Sequence, residues 1–214
     1  MKHQKNHSSR REFLASGALA VAASQRIATA AEPGFVDLFN GKDLTGWEGD
    51  PFLWKVDDGA IVGKTPGISY NDFLSTEKEY SDFIMRFEIL LVDNAGNSGV
   101  QFRSHRESGS MAVIGYQADV SETFWGTLYD EKRRAVALVE PSEALIKRAV
   151  KVNAWNDYEI HAEGKRIVLK LNGITTADYT EEDDSIPQKG IIATQVHSGP
   201  PLEVRFRNLR IKEL

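Results

Sequence analysis

The sequence has 214 residues and no cysteine. Disulfides, thiolate catalysis and cysteine-based zinc sites are therefore excluded, and the fold must rest on its core. Basic charge is scarce as well: residues 31–214 hold 21 Lys and Arg against 30 Asp and Glu, a formal charge of −9. A polyanion binder needs clustered cations to displace counterions, and the only basic pair on a patterned strand edge is Arg133-Arg134, so nucleic acid is excluded as a partner. Long hydrophobic runs are missing too. The stretch 14–23 is too short and too rich in Ala, Gly and Ser to span a bilayer, which excludes a stable membrane anchor. Sustained helical periodicity with caps is also absent from residues 31–214, where only 142–150 reads as a helical turn or a loop excursion.

What is present begins with a leader. Ser9-Arg10-Arg11-Glu12-Phe13-Leu14 precedes a weakly apolar stretch that ends in the small-x-small pattern Ala28-Thr29-Ala30. This resembles a twin-arginine export signal cut near Ala30. Residues 1–30 are then a signal, and residues 31–214 are a single domain destined for the periplasm or for secretion, large enough for one real core.

Strand patterns dominate that domain. Phe83, Met85, Phe87, Ile89 and Leu91 alternate with Ile84, Arg86, Glu88 and Leu90, the period-two signature of a long strand. Residues 54–62 read as a hairpin turned at Asp58-Gly59, and residues 158–178 as a meander turned at Glu163-Gly164 and Asn172-Gly173. Further strands are expected at 99–104, 115–121, 124–129, 135–140, 190–197 and 202–212, with Asn97-Ser98-Gly99 as a turn launching the first of these. The class is all-β: a two-sheet antiparallel jelly-roll sandwich of the concanavalin-like or laminin-G-like kind.

Three strands share a distinctive feature. Gln101 and Arg103 lie opposite Val100 and Phe102; Gln117 and Asp119 lie opposite Tyr116, Ala118 and Val120; Gln195 and His197 lie opposite Thr194 and Val196. Solvated faces elsewhere use Lys, Glu and Thr, whereas Gln, Arg, Asp and His make directional hydrogen bonds suited to sugar hydroxyls. If the strands are neighbours, the three pairs line one polar groove. Arg103 and Asp119 are also of the right charge to pair with each other across the sheet, and a histidine such as His197 often serves as a hydrogen-bonded structural group. Sandwich glycosidases of the laminarinase type carry Glu-x-Asp-x-x-Glu on one strand. Here the string is Gln117-Ala118-Asp119-Val120-Ser121-Glu122, and an amide in the first position can neither attack an anomeric carbon nor hold a transferable proton. Ordinary retaining hydrolysis does not fit this strand.

Several strings in order, Leu38-Phe39-Asn40-Gly41-Lys42-Asp43-Leu44-Thr45-Gly46-Trp47, Asn97-Ser98-Gly99-Val100-Gln101-Phe102-Arg103, Gly115-Tyr116-Gln117-Ala118-Asp119, Trp125-Gly126 with Leu128-Tyr129-Asp130-Glu131, Trp155-Asn156, Leu171-Asn172-Gly173 and Phe206-Arg207-Asn208-Leu209, resemble the 3-keto-disaccharide hydrolase family. The resemblance implies a concanavalin-like jelly roll and a carbohydrate substrate already oxidised at carbon 3. The family's Leu-Gln-x-His string has Thr194 in its first position here, on the side facing away from the polar row. A ketone at carbon 3 acidifies the proton at carbon 2, so a base can remove it and expel the aglycone from carbon 1, after which water adds. That route implies His197 or Asp119 as the base and Arg103 or a divalent cation as the enolate stabiliser. Gln101, Gln117 and Gln195, with Trp125 and Tyr129, are the expected substrate contacts. Asp119 and His197 are both of ligand type, but the sequence supplies no ligand count for a metal and requires no other cofactor. A noncatalytic carbohydrate-binding module with the same groove is the alternative of a different class.

Overall fold

The protein is described from a computed structural model covering residues 32–110 and 112–214. The expected export signal lies outside these residues. Among the described residues fifteen strands follow one another: β1 (Val36–Asp37), β2 (Trp47–Glu48), β3 (Trp54–Asp57), β4 (Ala60–Thr65), β5 (Asp72–Tyr80), β6 (Phe83–Leu91), β7 (Asn97–Arg106), β8 (Val113–Ser121), β9 (Leu128–Glu131), β10 (Val136–Val139), β11 (Asn156–Glu163), β12 (Arg166–Leu171), β13 (Ile174–Thr180), β14 (Gly190–Val196) and β15 (Leu202–Glu213). One short helix, α1 (Glu143–Ala149), is capped by the Ser142 side chain, which accepts from the Leu145 N–H.

The strands form two antiparallel sheets, ordered β13-β12-β11-β6-β15-β4-β3 with β1 added on β15, and β10-β9-β8-β7-β14-β5-β2. This is the jelly-roll sandwich expected from the sequence. β6 spans the residues its alternation predicts and buries Phe83, Met85, Phe87, Ile89 and Leu91. Across the sandwich, the Phe83 ring meets Phe102 of the second sheet edge-on at 6.2 Å, and Phe102 stacks on Tyr116 at 5.8 Å. Asp58-Gly59 and Asn172-Gly173 both turn with two positive φ angles (46° and 67°, 49° and 79°), the geometry of primed hairpin turns. In the β11–β12 hairpin Glu163 pairs with Arg166, so the turn is Gly164-Lys165, one residue later than its glycine suggests.

Three other expectations are corrected. Residues 124–127 form a turn rather than a strand, and β9 starts at Leu128. Asn97-Ser98-Gly99 is already strand, and the buried Ser98 hydroxyl donates to the Gln195 carbonyl at 2.7 Å. β5 has no counterpart in the sequence reading, because Asp72, Ser75 and Thr76 are polar yet buried; Asp72 accepts from the Trp54 indole at 2.7 Å. Among the described residues no helix is long and apolar enough to cross a membrane.

Candidate active site

The second sheet places β9, β8, β7, β14 and β5 side by side, so the polar pairs of β8, β7 and β14 are neighbours. Gln101 and Gln117 are register partners, and Gln101 Nε2 donates to Gln117 Oε1 at 3.1 Å. Gln117 Nε2 in turn donates to Asp119 Oδ1 and, at 3.2 Å, to Gln195 Oε1. Gly99 makes room for this row: a Cβ there would fall 2.9 Å from Gln117 Cγ. Four residues named from the sequence, Gln101, Gln117, Asp119 and Gln195, are therefore joined on the face of the sheet that points away from the inter-sheet core. All four are buried rather than open to a groove. Tyr129, the register partner of Gln117, flanks the row half-buried.

Arg103 does not join them. A register shift between Phe102 and His105 marks a bulge, and Arg103 sits in it with φ 48°, which ends the period-two phase. Its guanidinium instead bonds Asp82 Oδ1 (2.7 Å), the Ser81 carbonyl (2.8 Å), the Gly164 carbonyl (2.7 Å) and Gln188 Oε1 (2.6 Å), binding three loops together. The alternative of a cross-sheet pair with Asp119 is not formed either; Arg103 pairs with Asp82. Trp125 is also displaced from the expected site. The Gly126 turn (φ 76°) tucks its ring into the core at 2 % exposure, and its indole N–H donates to Asn94 Oδ1 at 3.0 Å.

A cleft of roughly 510 Å³ opens beside the row, walled by Ser69, Tyr70 and Asn71, by Ser110 and Ala112, by Glu131 and Lys132, and by Ser198, with Phe73 at its base. Phe73 is the register partner of Gln195, and Glu131 continues the Gln117-facing side of β9 two residues beyond Tyr129. His197 follows β14 directly. Its Nδ1 lies 2.6 Å from the Ser198 carbonyl, a contact that needs a proton on Nδ1, so the neutral ring carries its lone pair on Nε2. Asn71 ties the walls together: its Oδ1 accepts from the Ser198 N–H at 2.9 Å, and its Nδ2 donates to Glu131 Oε1 at 3.4 Å.

Two carboxyls at the row and the cleft are raised by burial. Burial pushes Asp119 up to about 7, with the charge of Glu131 adding to the rise and the hydrogen bond from Gln117 opposing it. Burial also raises Glu131, against the opposing influence of His197 and Asn71. Among the described residues no group of three or more His, Asp or Glu side chains is arranged to hold a metal ion, so the donors named from the sequence do not form a ligand set. Glu131, Asn71, Tyr70 and Ser198 escaped the sequence reading. Glu131 carried a signal, since it shares its phase with Tyr129 as Asp119 does with Gln117; the loop residues carried none.

Residues 34–212 match the family model of the 3-keto-alpha-glucoside-1,2-lyase-like domain. The chain belongs to this family. A search of curated proteins finds no match. Among solved structures, the chain is similar to a protein from Parabacteroides distasonis ATCC 8503 provisionally described as a glycosyl hydrolase (22% identity, 85% of this chain and 94% of that one, TM-score 0.64). It is also similar to the carbohydrate-binding module CBM66 from Bacillus subtilis (20% identity, 83% and 100%, TM-score 0.63) and to a Bacillus subtilis protein of unknown function with a galectin-like fold (8% identity, 79% and 90%, TM-score 0.58). At these identities the structural likeness shows the jelly roll.

Proposed function

We propose that this chain is an exported enzyme that cleaves 3-keto-glycosides, 3-keto-disaccharides among them, by elimination and rehydration. The observation that carries the reading is a pair at the cleft: Glu131, which lines it, and His197, the chain neighbour of the lining residue Ser198. A histidine whose hydrogen bond leaves Nε2 unprotonated stands in electrostatic contact with Glu131, a half-buried carboxyl raised above its ordinary range. Such a pair offers one group that can accept a proton and one that can donate it.

In the proposed reaction His197 Nε2 removes the proton from carbon 2, the electron pair forms the carbon 1–carbon 2 double bond, and the bond from carbon 1 to the leaving oxygen breaks. Glu131 supplies the proton that the leaving oxygen needs. Water then adds to carbon 1 of the unsaturated ketone, Glu131 recovers a proton from it, and the half-buried His197, having exchanged its proton with solvent, delivers one to carbon 2. Both groups end as they began. Asn71, held by the Ser198 N–H, keeps Glu131 aimed into the cleft, and Asp119 acts through Gln117 as a positioning residue. This differs from the sequence expectation in that Arg103 has no part and Asp119 does not touch the substrate.

The test is cleavage of a 3-keto-disaccharide beside its unoxidised parent sugar. Release of monosaccharides from the ketone alone supports the reading. Binding of both sugars with cleavage of neither would make the domain a carbohydrate-binding module.

A further inference from the structure

The cleft carries one large apolar side chain that is open to solvent. Phe73 at its base is 1 % exposed, but Tyr70 at its mouth is 48 % exposed. A tyrosine on a loose loop would mean little. This one stands between two fixed points: on one side Ile68 forms an isolated bridge with Gly199, whose N–H donates to the Ile68 carbonyl at 2.7 Å. On the other side Asn71 is held by the Ser198 N–H and reaches Glu131. The loop is thus fastened to the segment after β14 on both sides of Tyr70, and the ring is presented to the cleft on a supported backbone.

The rest of the cleft lining divides by chemistry. Asn71, Glu131 and Ser198 are polar and half-buried, whereas Ser69, Tyr70, Ser110 and Lys132 are exposed, with Lys132 drawn toward Glu107 by an ion pair at 3.4 Å. A volume of roughly 510 Å³ falls within the range of about 300–1,000 Å³ typical of small-molecule sites and leaves room for more than one sugar ring. The reacting ring must lie against Glu131, where Asn71 and Ser198 add half-buried hydrogen-bond partners for its ketone and hydroxyls. The ring beyond the cleaved bond must leave, and the outer end is the open one.

We infer that Tyr70 is the platform on which the leaving sugar stacks, making the cleft selective for glycosides whose aglycone is itself a pyranose. This rests on the elimination reading. The apolar face of a pyranose laid on an aromatic ring gains contact area without losing hydroxyl solvation at its rim, and the tyrosine hydroxyl stays wet. Tyr70 is a specificity-determining residue here, remote from the proton transfers.

The experiment compares Tyr70→Ala and Tyr70→Phe with the parent on two substrates, a 3-keto-disaccharide and the methyl 3-keto-glycoside of the same sugar. The exposed ring supports little of the core, so both variants keep the fold. Tyr70→Ala is expected to lower kcat/KM on the disaccharide about threefold to tenfold, mostly through KM, and to change the methyl glycoside by less than about twofold, the scale of one aromatic contact. Tyr70→Phe restores the disaccharide rate. An equal loss on both substrates, or none on the disaccharide, overturns the platform. If the parent cleaves neither substrate, the elimination reading fails by itself, and the platform is read from calorimetric binding. A loss of disaccharide affinity in Tyr70→Ala without loss of monosaccharide affinity keeps it, and any other pattern overturns it.

Discussion

Replacing Asp119 by Asn tests the buried row through stability alone. Asparagine keeps the oxygen that accepts from Gln117 Nε2 but cannot ionise. Asp119 is 6 % exposed and raised from 3.8 to about 7 in the folded protein. Between those two values the folded chain holds a proton that the unfolded chain has released, so stability falls as pH rises from about 4 through about 7. The span corresponds to about 4 kcal/mol lost once Asp119 is ionised in both states. The Asn variant lacks this loss. It is expected to match the parent at about pH 4 and to exceed it by up to about 4 kcal/mol at about pH 8, because the parent alone must desolvate a charge. Urea unfolding of both proteins across that range measures the gap. A gap independent of pH, or a less stable Asn variant at about pH 8, would refute the claim that a carboxyl without adequate compensation lies under the sheet.

Arg103→Ala removes a buried guanidinium with four partners and leaves the partly buried Asp82 without its cation, so a loss of about 3–5 kcal/mol in thermal or urea unfolding is expected; any protein that remains folded should keep the parental turnover, since Arg103 stands apart from the cleft. Gly99→Ala forces a Cβ to within 2.9 Å of both Gln117 Cγ and the Ala118 carbonyl, and should cost about 1–3 kcal/mol by the same assay. His197→Gln and Glu131→Gln should each lower turnover of a 3-keto-disaccharide on the order of a hundredfold while leaving unfolding midpoints near the parental value. A chain starting at Ala31 should melt with the full-length protein, and a large loss of stability would show that residues 1–30 belong to the fold.

The sandwich was legible because its long strands alternate cleanly and its primed turns use Asp-Gly and Asn-Gly, residues that tolerate the required positive φ. The same alternation rule brought Gln101, Gln117, Asp119 and Gln195 together and failed at Arg103, where one bulge reverses the direction of the side chain. No local pattern announces that bulge, because an arginine at φ 48° looks like any other arginine in the sequence. Trp125 misled for a related reason: adjacency to a polar row says nothing about a turn that folds the ring inward. The cleft itself was the least legible part. Its walls come from segments far apart in the chain, and Asn71 meets Ser198 and Glu131 only in the folded protein.

The central claim is that the cleft removes a proton from carbon 2, and the direct measurement is cleavage of a 3-keto-disaccharide in deuterium oxide, followed by NMR before the released keto-sugar exchanges on its own. Elimination and rehydration predict deuterium at carbon 2 of the released 3-keto-sugar from the first turnovers, with a matched sample of that product left unlabelled over the same interval without protein. Release of a product that still carries hydrogen at carbon 2 would contradict the account, because direct displacement at carbon 1 never breaks that bond.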